Sequence, residues 1–164
     1  MRRRCSPGPT AAAEGDAVVK AFLSLGLVAA AATIGALIGI GHRLGSVALP
    51  FAATAAALLD RTTTSSDAQL VAIGLVLHVG LTFVWTAVFV WLARGRGWKP
   101  AVAAIVVAAG VHGLTWFVAW KTGRGVASVL PLGDRIVLAI VFAAALAVGI
   151  RFAFSPRRED TAFG

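Results

Sequence analysis

Four stretches of this chain are each about twenty residues long and almost free of charge, and such blocks leave few ways to fold. They run over residues 17–40, 69–93, 100–120 and 132–154. A helix rising 1.5 Å per residue needs about twenty apolar residues to cross roughly 30 Å of hydrocarbon. Inside lipid every backbone N–H and C=O must be satisfied within the chain, which here means helix. The whole sequence is 59% hydrophobic and 13% charged, against about 25% charged in a soluble domain. The pattern therefore predicts an all-α membrane protein, a bundle of four transmembrane helices forming one domain over residues 17–154.

The block ends carry local signals. Lys20 lies in the first turn of the first block, where its stem can snorkel to the interface. Pro100 opens the third block, at a position whose missing N–H costs nothing. In the fourth block Arg135 and Arg151 flank a short uncharged run, and both are expected to reach for opposite interfaces. Asp134 is expected to pair locally with Arg135.

Between the first two blocks, residues 44–59 form an apolar stretch of about sixteen residues that contains Pro50. It is short for a crossing and predicts a re-entrant or interfacial segment. The polar run 60–67, "DRTTTSSD", reads as an exposed loop. Residues 1–16 read as a disordered cytoplasmic tail and 155–164 as a second cytoplasmic tail. With the N-terminus inside, the inner side receives Arg2, Arg3, Arg4, Lys20, Arg94, Arg96, Lys99, Arg151, Arg157 and Arg158. The outer side receives Arg43, Arg61, Lys121, Arg124 and Arg135. Ten against five places both termini in the cytoplasm.

The net charge of +8 does not point to nucleic acid, because the basic residues sit at block ends rather than on one face. The single cysteine, Cys5, allows no disulfide within the chain and no metal cluster. All seven acidic residues, Glu14, Asp16, Asp60, Asp67, Asp134, Glu159 and Asp160, lie in tails, loops or helix ends. With no acid at depth, no serine–histidine–acid set and no phosphate-binding glycine loop, an enzyme is not expected.

Lipid is as apolar as leucine, so the helices must associate by close packing. Small residues recur at four-residue spacing: Ala31, Gly35 and Gly39 in the first block, Ala104 and Ala108 in the third, Ala139, Ala143 and Ala147 in the fourth. These ridges suit packing within the chain, and equally a homo-oligomer or a larger membrane complex.

Two related segments carry the only histidines at depth. "HVGLTFVW" starts at His78 and "HGLTWFVAW" at His112. His78 lies nine residues into the second block and His112 eight residues before the end of the third, which puts both about 12–13 Å deep in helices of opposite direction. Around His78 come Gly74, Thr82 and Trp85; around His112 come Ala108, Thr115 and Trp116.

Three readings compete. The preferred one is structural and needs no cofactor: each imidazole bonds a threonine hydroxyl or a backbone carbonyl and holds helices together. The second makes His78 and His112 the axial ligands of a b-type haem in an electron-transfer protein. The third sets the pair beside a proton or solute path in a small transporter or channel subunit. His42, at the outer end of the first block, is too shallow to join them.

The succession of a Gly-rich first helix, "RLGSVALPF", "GLVLHVGLTFVW" and "VHGLTWF" resembles small multi-pass proteins of bacterial membranes over roughly residues 17–120. The resemblance implies a helical fold in a bacterial cytoplasmic membrane and carries no activity. Length and helix count are similar to the small multidrug resistance family, but the intramembrane glutamate of that family's first helix is absent here, so its transport chemistry is not implied.

Overall fold

The computed structural model describes residues 11–59 and 67–153, and no strand occurs among them. Four long helices, α1 (Ala11–Arg43), α3 (Ala68–Val90), α4 (Pro100–Thr122) and α6 (Leu132–Ala153), are joined through two short ones, α2 (Leu49–Leu59) and α5 (Val126–Val129). Four segments, Val18–Arg43, Ala68–Gly95, Pro100–Thr122 and Leu132–Ala153, are long and apolar enough to cross a membrane. The chain is an all-α, four-helix membrane bundle. The tails expected over residues 1–10 and 155–164, and the loop expected over 60–66, lie outside the described residues. Residues 11–16, read from sequence as tail, instead continue α1 toward the N-terminus. This run is rich in alanine, the residue of highest helix propensity.

Local chemistry sets the helix ends. Asp67 caps α3, its carboxylate accepting the backbone N–H groups of Gln69 at 3.0 Å and Leu70 at 3.2 Å, two of the donors a helix start leaves unpaired. At its other end α3 passes into a π-helical turn, Trp91–Gly95, closed by the Arg96 N–H on the Trp91 carbonyl at 3.1 Å. The Arg96 guanidinium lies over the Trp91 ring, 4.8 Å from its centroid. Pro100 occupies the first turn of α4.

α2 has eleven residues and is about 16 Å long by helical rise, too short to cross hydrocarbon. It is held against α3 by a close approach of backbones. Gly74 faces the Phe51 carbonyl, and a Cβ at that position would collide with it. Phe51, Ala52, Ala53, Ala55 and Ala56 are buried as a result.

The bundle is unevenly knit. α1 packs along α6 and along α3, and α6 packs along α4. The main core lies at the α3–α4 connection, where Leu25, Ala29, Phe89, Ala103, Ala104, Val107, Phe142 and Leu146 are buried together. α3 and α4 share that core at their joined ends but otherwise touch little. At their far ends α2 and α5 pack on each other, α2 chiefly against α3 and α5 against α4. Among the spanning helices the first and last, α1 and α6, lie side by side, whereas the consecutive pair α3 and α4 are in far less contact.

Three expectations need correction. Asp134 does not pair with Arg135; it pairs with Arg43 from the last turn of α1, because α1 and α6 lie side by side. Arg135 does not simply reach for an interface but borders a half-open cavity between the helices. The ridges also divide: Ala104 and Ala108 are buried, and Ala139, Ala143 and Ala147 are half-buried on the α6 face. Gly35 and Gly39 face outward, with nothing within 4 Å of where a Cβ would stand. α1 instead turns Ala29, Ala30, Thr33, Leu37 and Ile40 inward.

Candidate functional site

Thr33 is the only polar side chain in α1 between Ser24 and His42, and α1 turns it toward α3. Its Oγ1 lies 2.8 Å from His78 Nε2. The same oxygen donates its hydrogen to the Ala29 carbonyl at 2.9 Å, with the Ala30 carbonyl at 3.1 Å. A hydroxyl has one hydrogen to give and two lone pairs to offer. With the hydrogen given to the backbone, Thr33 accepts from His78, which puts the imidazole hydrogen on Nε2. The His78 ring also meets the edge of Phe51 from α2, with centroids 6.2 Å apart and planes at 87°. His78 thus joins α3 to α1 and α2.

Where α3 and α4 part, a cavity of about 130 Å³ remains. Both sequence-selected histidines, His78 and His112, line it, together with Thr33, Thr54, Thr82, Thr115 and Arg135. The remaining wall is apolar and includes Leu37, Trp85, Leu138 and Phe142. Trp85 bounds it on the side of the shared core, its ring 3.6 Å from the position a Cβ of Gly110 would take. No aspartate or glutamate borders it.

The polar groups of this wall differ in how far they are satisfied. Thr82 donates to the His78 carbonyl at 2.8 Å, Thr115 to the His112 carbonyl at 2.9 Å, and Thr54 to the Pro50 carbonyl at 3.0 Å. Each hydroxyl therefore keeps acceptor capacity. Arg135 Nε is buried and makes no hydrogen bond to any described residue.

Of the faces expected around the histidines, Thr82, Trp85, Ala108 and Thr115 are on the cavity wall. Gly74 is covered by α2. Trp116 points away, exposed and stacked on Trp120 with centroids 6.1 Å apart. Thr33, Thr54 and Arg135 are the polar lining residues that sequence reasoning missed. The signal for Thr33 was its solitude in an apolar helix. The signal for Arg135 was a charge one turn inside α6, where a lipid-facing side chain would be costly.

Fold and cavity together define a multi-pass helical membrane protein with a largely apolar cleft among its spanning segments, bordered by two histidines, four threonines and an arginine. No protein-family model, no curated protein and no solved structure matches the chain.

Proposed function

We propose that the cavity is the working part of this protein and that it binds a small solute within the membrane, as a transporter or channel subunit would. One observation carries this reading: both histidines at depth, four threonines and an arginine border one half-open cleft in an otherwise apolar bundle. Polar groups at membrane depth are costly and mark solute and ion pathways. Helix packing accounts for His78, which is held by Thr33. It does not account for His112 and Arg135, which border empty volume.

The haem reading of His78 and His112 has less support. About 130 Å³ is below the roughly 300–1,000 Å³ of sites that take drug-sized ligands. Axial ligation through His78 Nε2 would also break its bond to Thr33.

We further propose that it lies in a bacterial cytoplasmic membrane, with both termini inside, an orientation supported by the ten-to-five distribution of basic residues. A second copy or a larger membrane complex would fit the outward-facing Gly35 and Gly39. The reaction class is binding or passage, without catalysis.

The test is thermal stabilisation of the purified protein in nanodiscs of neutral lipid by a panel of three-carbon solutes, namely propanol, propionamide and propionate. At least one is expected to raise Tm saturably, and Ala139→Phe, which puts a ring into the cavity wall, is expected to remove that response. A panel with no saturable response from any member would end the reading.

A further inference from the structure

The cavity has an electrostatic asymmetry that selects among small solutes. Arg135 stands one turn into α6 and brings a permanent positive charge to the wall. Its Nε is shut away from solvent and from every hydrogen-bond acceptor among the described residues. The nearest carboxylate in sequence, Asp134, is committed to Arg43. Only Nε is so enclosed, the side chain as a whole being half-buried on the cavity wall, and a positive charge held there is favoured by an opposite charge that completes its hydrogen bonding. Nothing on the wall supplies that charge.

We infer that the ligand supplies the opposite charge that the wall lacks, and that the cavity binds a small organic oxyanion, a short-chain monocarboxylate, through the Arg135 guanidinium. This rests on the reading of the cavity as a solute site. The planar fork of arginine matches a carboxylate in two parallel N–H···O bonds, stronger and more directional than bonds to a neutral carbonyl. His112, with no hydrogen-bond partner of its own among the described side chains, stands on the same wall and offers a further ring nitrogen. The apolar wall formed by Leu37, Trp85, Leu138 and Phe142 suits a short hydrocarbon tail.

Size narrows the class. An engineered cavity of about 150 Å³ takes benzene, a ligand of six non-hydrogen atoms. About 130 Å³ therefore admits about five, the size of propionate. A cation is disfavoured by Arg135 and by the lack of any acidic lining residue. The same oxyanion chemistry could come from a lipid phosphate at the rim, and the lipid composition of the test separates the two sources.

The experiment is titration calorimetry at constant ionic strength on the full chain in phosphatidylcholine nanodiscs, with sodium propionate, propionamide and propylammonium chloride as probes. Propionate is expected to bind at least tenfold more tightly than propionamide, with no binding of propylammonium. Arg135→Gln is expected to abolish the preference, and Arg135→Lys to retain part of it. The comparison within the wild-type protein is decisive even if Arg135→Gln does not fold.

If propionamide binds as tightly as propionate, the solute cavity stands and the oxyanion assignment falls. If no probe binds, both fall. Repeating the titration in phosphatidylglycerol nanodiscs tests the source. Unchanged propionate affinity keeps the free carboxylate as ligand. Loss of binding there overturns the free carboxylate and assigns the Arg135 site to the lipid phosphate.

Discussion

The seam between α1 and α6 and the gap between α3 and α4 are built from the same few residue types, yet they behave as opposites. Along the first, Leu25, Ala29, Phe142 and Leu146 are buried, and Gly149 leaves no room for a Cβ beside Leu25. Along the second, contact is confined to the joined ends, and polar side chains border open volume beyond them. The first also leaves a groove of about 330 Å³ beside Leu25, Val28, Val148 and Gly149, but no histidine and no charged side chain borders it. What separates the two is therefore the chemistry of the wall rather than the presence of a void. The solute-binding proposal rests on the second, where histidine, threonine and arginine line the void. Chain connectivity does not decide which pair packs, since α3 and α4 are consecutive spanning helices and α1 and α6 are the first and last.

That contrast can be broken or sharpened by substitution, with reversible unfolding in mixed micelles as the measure. The largest effect is expected at Gly74. A valine there would drive α2 off α3 because the obstacle is the Phe51 backbone, and overpacking against backbone costs about 3 kcal/mol. A Gly74→Val protein of unchanged stability would mean that α2 is not anchored where the structure puts it.

Next comes Leu146, fully buried in the tight seam. Leu146→Ala should cost about 2 kcal/mol, the low end for such truncations, since lipid already solvates the side chain in the separated state. The same truncation at Leu138, on the cavity wall, should cost less than half as much; equal losses would erase the distinction between seam and gap.

A double-mutant cycle on Thr33→Val and His78→Ala should return a coupling of about 1 kcal/mol, within the range for hydrogen bonds between membrane helices. Strict additivity would show that the Thr33–His78 bond contributes nothing. The smallest change is expected for Gly35→Ala and Gly39→Ala, which meet no neighbour within the chain. Each should be neutral or stabilising by less than about 1 kcal/mol. A clear loss at either position would reveal a partner on that face of α1.

The four crossings were legible because hydropathy over twenty residues reports directly on hydrocarbon thickness. The stretch at residues 44–59 was legible as too short to span for the same reason. Which way each helix faces was not legible, because lipid and protein interior are equally apolar and no polar stripe marks the outside. Thus the small-residue ridge at Gly35 and Gly39 looked like a packing face, while Thr33 and Leu37 in fact take the inside. His78 and His112 were singled out by depth, and depth brought them to one cavity wall. Their arrangement, with α2 set against α3 and α5 against α4, depends on contacts distant in sequence, such as Gly74 with Phe51. Arg135 was assigned to the interface because it flanks the short uncharged run of the fourth block, with Asp134 beside it as an expected local partner. That partner was taken by Arg43.

The Arg43–Asp134 clasp also bears on how the protein is made. Its two ends belong to the first and last spanning helices, so during synthesis α1 enters the membrane long before its principal neighbour exists. Arg43 waits without its counter-ion, and the inward face of α1 stays solvated by lipid, until α6 emerges. Assembly of this bundle is therefore a closing step, completed by its final helix, and a nascent chain that stops short of residue 132 has its helices inserted but its chamber unbuilt.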